Sequence, residues 1–186
     1  MTSALFELLI LSLPSAIWTR RLRRSGSSQR QSLAVVGVRW GPPSAYGLAL
    51  ALVIPVVAVA AVLLNVIPSH LLHEHSKNLV GPPSGAGDYV AIVLLALAEE
   101  MFFRGFVAAL LFTRLGFRTG NIVQALIFLA PHTLLLSVSL SLWPLLPLQL
   151  IAGWVLGWLR YRSGSIAPGW LAHALINLLP AILFGL

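Results

Sequence analysis

Apolar runs of membrane-spanning length alternate along this chain with short linkers, and the arginines are sorted among the linkers. Arg20, Arg21, Arg23, Arg24, Arg30 and Arg39 separate a first run from a second, Arg114 and Arg118 a third from a fourth, and Arg160 and Arg162 a fifth from a sixth. The alternate linkers hold only Lys77, and Arg104 lies inside a run, which accounts for all twelve basic residues. Cytoplasmic linkers of membrane proteins retain Lys and Arg, so this sorting predicts about six transmembrane helices, both termini outside, and three Arg-bearing linkers in the cytoplasm.

The runs cover residues 4–18, 45–67, 89–112, 122–140, 148–159 and 168–186. About 30 Å of hydrocarbon needs roughly 20 helical residues. The first run is short and carries Glu7 and Pro14, and Pro144 and Pro147 break the chain ahead of the fifth. Pro168 suits the first position of a helix. No basic residue precedes the first run, so the order is that of a reversed anchor rather than a cleaved signal peptide.

With 58% hydrophobic and 9% charged residues, a chain of 186 has too little charge to clothe a soluble domain. The expected class is all-α, a polytopic integral membrane helix bundle forming one membrane domain. Within it, residues 1–87 read as N-terminal anchor spans and linkers, and residues 88–186 as the core. The net charge of +7 could suggest nucleic acid, but the arginines are not gathered on a domain with interleaved aromatics. The expected partner is the lipid bilayer, with no nucleic acid. The absence of cysteine removes disulfides, thiolate nucleophiles and Cys-ligated zinc, so any metal would rest on His, Glu and Asn.

Two linkers are long. Residues 19–33 are rich in Arg and Ser and read as a polar topology determinant. Residues 68–88 have the Gly and Pro content of an irregular loop, and His70, His73, Glu74 and His75 there read as solvated rather than metal-binding. Gly153 and Gly157 form a GxxxG pattern that predicts close helix contact. Gln124 reads as an interhelical hydrogen bonder.

Against this background Glu99, Glu100 and Arg104 are anomalous, because they lie in the third apolar run. Ionisable groups inside a membrane are costly and mark function by default. Two adjacent carboxylates repel in a low dielectric unless a cation intervenes. Glu100 and Arg104 are four residues apart and face each other on a helix, while Glu99 points about 100° away. His173 and Asn177 also share one helical face. At about 1.5 Å per residue, Glu99, Arg104, His132, His173 and Asn177 all fall between roughly 8 and 20 Å from the Arg-bearing side. They can therefore meet in one cavity.

These residues carry a resemblance. Glu99-Glu100-Met101-Phe102-Phe103-Arg104 is similar to an EExxxR motif, Phe128-Leu129-Ala130-Pro131-His132 to FxxxH, and His173-Ala174-Leu175-Ile176-Asn177 to HxxxN. Together, in this order and on separate predicted spans, they resemble the CPBP, or Abi, family of intramembrane endopeptidases. That family includes type II CAAX prenyl proteases and bacteriocin-processing or immunity proteins.

The resemblance implies hydrolysis of a peptide bond in a membrane-associated protein, prenylated or not, with Glu99 and His132 activating a water. His173 and Asn177 would stabilise the oxyanion, and Glu100 and Arg104 would support the site. It leaves metal use open: Glu99, His132 and His173 would be the ligands, and zinc the candidate ion. The expected location is the plasma (inner) membrane of a prokaryote, with the site facing the cytoplasm. A second reading is a non-catalytic scaffold or immunity protein of the same fold. A third, a proton-coupled carrier, has against it the lack of a repeated half.

Overall fold

Helix is the regular structure throughout the described residues, which are 1–66, 83 and 85–184 of a computed structural model. His70, His73, Glu74, His75 and Lys77 lie outside them. Helix α1 spans Thr2–Arg24, α2 Gln29–Val35, α3 Pro43–Val66 and α4 Ala86–Glu100. A π-helical stretch, Met101–Ala108, joins α4 without interruption to α5, Ala109–His132. After a short α6, Leu135–Val138, come α7, Leu145–Ser163, and α8, Ala167–Phe184.

Gly116 divides α5. Its φ of 71° and ψ of 172° take it out of helical space, a conformation glycine reaches without the penalty of a Cβ. A Cβ built on Gly120 would lie 2.9 Å from the Leu111 carbonyl, yet residues nine apart on a straight helix are about 13 Å apart. The chain therefore turns back at Gly116 as a tight hairpin, which Phe112, Phe117 and Tyr161 fasten to α7 (Phe117 stacks on Tyr161 at 4.2 Å). Among the described residues six long rods result: α1, α3, residues 86–115, residues 117–132, α7 and α8.

Two of the rods, Thr2–Arg24 and Pro43–Leu63, are long and apolar enough to cross a membrane. Only 11% of the apolar window of either is buried, unlike the core helix of a soluble protein. Leu9, Leu13, Ile54 and Val62 point outward. The first rod is longer than its apolar run, because α1 continues through the arginines to Arg24. Much of the polar linker at 19–33 is likewise helical: the Ser28 hydroxyl accepts from the Gln31 amide while the Gln31 side chain accepts from the Ser28 amide, a capping box that starts α2.

Two other boundaries differ from expectation. The fourth helix stops at His132 instead of continuing towards Leu140. Pro131 supplies no amide for the helical ladder, and Leu134 bonds back only three residues, to the Pro131 carbonyl. The fifth starts early, at Leu145. Pro147 falls in its first turn, where amides have no helical partner and proline costs nothing.

Small residues decide the packing. Ala45, Ala49 and Val53, one face of α3, meet Leu156 and Leu159 of α7 and Ala172 of α8 in the core. Gly153 and Gly157 of α7 make the close contact that their spacing predicts: a Cβ on Gly153 would sit 3.0 Å from the Phe128 ring, and one on Gly157 would overlap the amides of Asn121 and Gln124. Those amides bind the α7 backbone, Asn121 to the Trp154 carbonyl at 3.0 Å and Gln124 to the Gly153 carbonyl at 2.7 Å. Gln124 is thus the interhelical bonder expected.

The glycines give a paired prediction. Gly157→Ala forces a methyl into these amides and is expected to cost about 1–3 kcal/mol. Gly47→Ala, in α3 with nothing within 4 Å of the new carbon, is expected to gain roughly 0.5–1 kcal/mol from helix propensity. Thermal unfolding in detergent should move the two melting temperatures in opposite directions.

Candidate active site

The end of α4 delivers Glu99 and Glu100, and the π-helical stretch that follows delivers Arg104. Glu100 Oε1 is 2.9 Å from Arg104 Nη1, and neither side chain has exposed surface. A charge pair this deep needs more than its own attraction. The guanidinium also donates from Nη2 to the Gly153 carbonyl at 3.4 Å, and the Phe128 ring lies 4.3 Å from its central carbon, a cation–π contact. Phe103 holds that ring edge to face at 5.0 Å. On the other side of Glu100, the first turn of α8 approaches so closely that a Cβ on Gly169 would lie 3.0 Å from Oε2. A helix N-terminus carries partial positive charge, which favours a carboxylate there.

His173 stands between the two carboxylates. Its Nδ1 is 3.2 Å from Glu100 Oε1, and because a carboxylate only accepts, Nδ1 carries the proton. Its Nε2 faces Glu99 Oε2 at 3.8 Å, beyond direct hydrogen bonding. His132 is fixed in a similar way. Its Nδ1 is 2.8 Å from the Phe128 carbonyl, so Nδ1–H donates and the lone pair is left on Nε2. The imidazole also rests on the Phe128 ring, centroids 4.7 Å apart.

Glu99 and His132 line one cavity of about 420 Å³. The remaining wall is apolar, formed by Leu11, Phe102, Phe103, Ile127 and Pro131. The structure therefore gathers Glu99, Glu100, Arg104 and His173 into one charged cluster and sets His132 on the same cavity wall as Glu99. Asn177 lies one helical turn from His173, exposed, and makes no hydrogen bond among the described residues. No group of three or more His, Asp or Glu side chains among the described residues is placed to hold a metal ion.

Two contributions were not anticipated from the sequence. Phe128, there only a motif letter, is the platform for both Arg104 and His132; its spacing of four from His132 was the available signal. Leu11 belongs to α1, far from the motifs, and nothing in its sequence context marked it.

A family model described as type II CAAX prenyl endopeptidase Rce1-like matches residues 87–179, half of the chain. The chain belongs to this Rce1-like family. No curated protein and no solved structure matches it. Glu99 to Arg104, Phe128 to His132 and His173 to Asn177 all lie within the Rce1-like segment, whereas Leu11 lies outside it. Membership and the two apolar helices together indicate a membrane protein, and the family implies a protein or peptide substrate.

The buried pair can be tested directly. Arg104→Leu and Glu100→Leu each leave an uncompensated charge and are expected to lose about 3–5 kcal/mol. The double variant removes both charges and is expected to unfold at a higher temperature than either single one. Additive losses in a double-mutant cycle would show that the two side chains are not coupled.

Proposed function

We propose that this chain is an intramembrane endopeptidase that hydrolyses a peptide bond of a membrane-associated protein or peptide, prenylated or not, with water activated by Glu99 and His132. The observation that carries the reading is the shared cavity: a carboxylate and an imidazole with a bare Nε2 on one otherwise apolar wall.

In this mechanism Glu99 removes a proton from a water that His132 Nε2 helps to orient, and the oxygen attacks the peptide carbonyl. The tetrahedral intermediate collapses, the C–N bond breaks, and the proton held by Glu99 passes to the leaving amine. One water is consumed and one acid and one amine are formed. His173, with Nδ1–H on Glu100, donates from Nε2 to the oxyanion when it is an imidazolium, and Glu100 balances its charge as a buried carboxylate does in a catalytic triad. Asn177, on the same face of α8, supplies an amide donor. Arg104 touches no substrate here. It holds Glu100 in position.

Activation by the carboxylate itself suits the arrangement of the donors, since Glu99, His132 and His173 do not surround one point. Placement completes the proposal: six spans, the Arg-bearing linkers in the cytoplasm and the site opening towards it, in the plasma membrane of a prokaryote.

A cleavage assay on a panel of farnesylated and unprenylated peptides tests the reading. Glu99→Gln and His132→Ala are expected to abolish turnover while the protein still elutes as a folded species. Asn177→Ala is expected to lower kcat by about 10²-fold, the usual loss of one oxyanion donor. Turnover should survive a chelator. Full activity in Glu99→Gln would sink the proposal.

A further inference from the structure

Helix α1 lies outside the Rce1-like segment, yet it lines the cavity that holds Glu99 and His132. Leu11 is on the cavity wall and is half-buried. Its position is fixed from below. Ser15, one turn on, is buried and donates its hydroxyl proton to the Met101 carbonyl at 2.8 Å. Trp18, two turns on, meets Phe106 edge to face at 5.9 Å. Leu11, Ser15 and Trp18 follow the i, i+4, i+7 pattern of a single helical face. That face is fastened to the π-helical stretch immediately beyond the Glu pair, and the approach is close: a Cβ on Gly105 would lie 3.0 Å from Ser15 Oγ.

The family segment's own part of the wall is held by ring contacts. Phe103 sits edge to face against both Phe102 and Phe128, each at 5.0 Å. A peptide group held at Glu99 and His132 therefore places a neighbouring side chain in an apolar space bounded by the rings of Phe102 and Phe103 and by Leu11. We infer that Leu11 sets the size of the apolar side chain accepted next to the cleaved bond, making α1 a specificity element of the site. The inference deepens the proposed hydrolysis and rests on it.

The test uses the full chain in detergent and CAAX peptides, farnesylated and unprenylated, with Ala, Leu or Phe after the cysteine. A methylene in an apolar pocket changes discrimination by roughly 10- to 200-fold. Leu11→Ala is expected to raise the kcat/KM ratio of the Phe over the Ala peptide about tenfold, and Leu11→Phe to lower it about as much. Wild-type turnover with the ratio unchanged in both variants overturns the inference and leaves the hydrolysis standing.

A second readout needs no turnover. The chain has no cysteine, so Leu11→Cys introduces a single thiol whose alkylation by N-ethylmaleimide the farnesylated Phe peptide, its own cysteine blocked as a thioether, should slow several-fold. Leu9→Cys, at a position 69% exposed on α1, should not be shielded. If the wild type cleaves nothing but the Leu11→Cys thiol is still shielded, α1 borders a peptide site and the hydrolytic reading fails. Neither cleavage nor shielding overturns both.

Discussion

The buried contact between Glu100 and Arg104 is the constraint on which the rest of this site depends. Neither side chain reaches the surface, and a lone charge in such a place would be prohibitive. The pair persists because the surroundings supply what water would: the Gly153 carbonyl, the face of Phe128, Nδ1–H of His173 and the first turn of α8. Those groups come from three helices, α5, α7 and α8. Satisfying one guanidinium and one carboxylate thus fixes how the residue 117–132 rod, α7 and α8 stand around the end of α4. The GxxxG glycines follow from the same demand, since only a bare backbone lets α7 approach Phe128 and the amides of Asn121 and Gln124.

Fixing Glu100 leaves Glu99 available. Adjacent residues on a helix diverge by about 100°, and here one carboxylate turns into the ion pair while the other lines a cavity with His132. Both histidines have one ring nitrogen committed, His132 to the Phe128 carbonyl and His173 to Glu100. Their ring orientations are thereby set before any substrate arrives. Such preorganisation suits a mechanism that stabilises charge as it develops rather than reorganising to meet it. The π-helical stretch lies between the Glu pair and the hairpin, and π-bulges often occur at functional sites.

Much of this was legible in the sequence because it is local or periodic. The pairing of Glu100 with Arg104 follows from a spacing of four, the close approach of α7 from GxxxG, and the break between the third and fourth runs from Arg114 and Arg118. Helix ends were less legible. Prolines 144 and 147 read as a break but sit at the start of α7, where their missing amides are harmless, and the polar residues after Trp18 prolong α1 instead of ending it. Contacts between distant segments were not legible at all. Arg160, read as a topology signal, is buried and donates to the Val35 carbonyl at 2.9 Å. Gly37 makes room for it, since a Cβ there would lie 2.5 Å from the guanidinium. Leu11 belongs to the same class, an ordinary leucine made specific by a serine one turn away.

In the proposed hydrolysis Glu99 delivers a water rather than attacking the peptide itself. A single-turnover cleavage in ¹⁸O-labelled water, with enzyme in excess, separates these routes. Direct attack by water puts ¹⁸O into the new carboxyl terminus of the product in the first turnover, with none in the enzyme. Unlabelled product together with ¹⁸O in the Glu99 carboxylate would mean an acyl intermediate on that side chain, and would contradict the account.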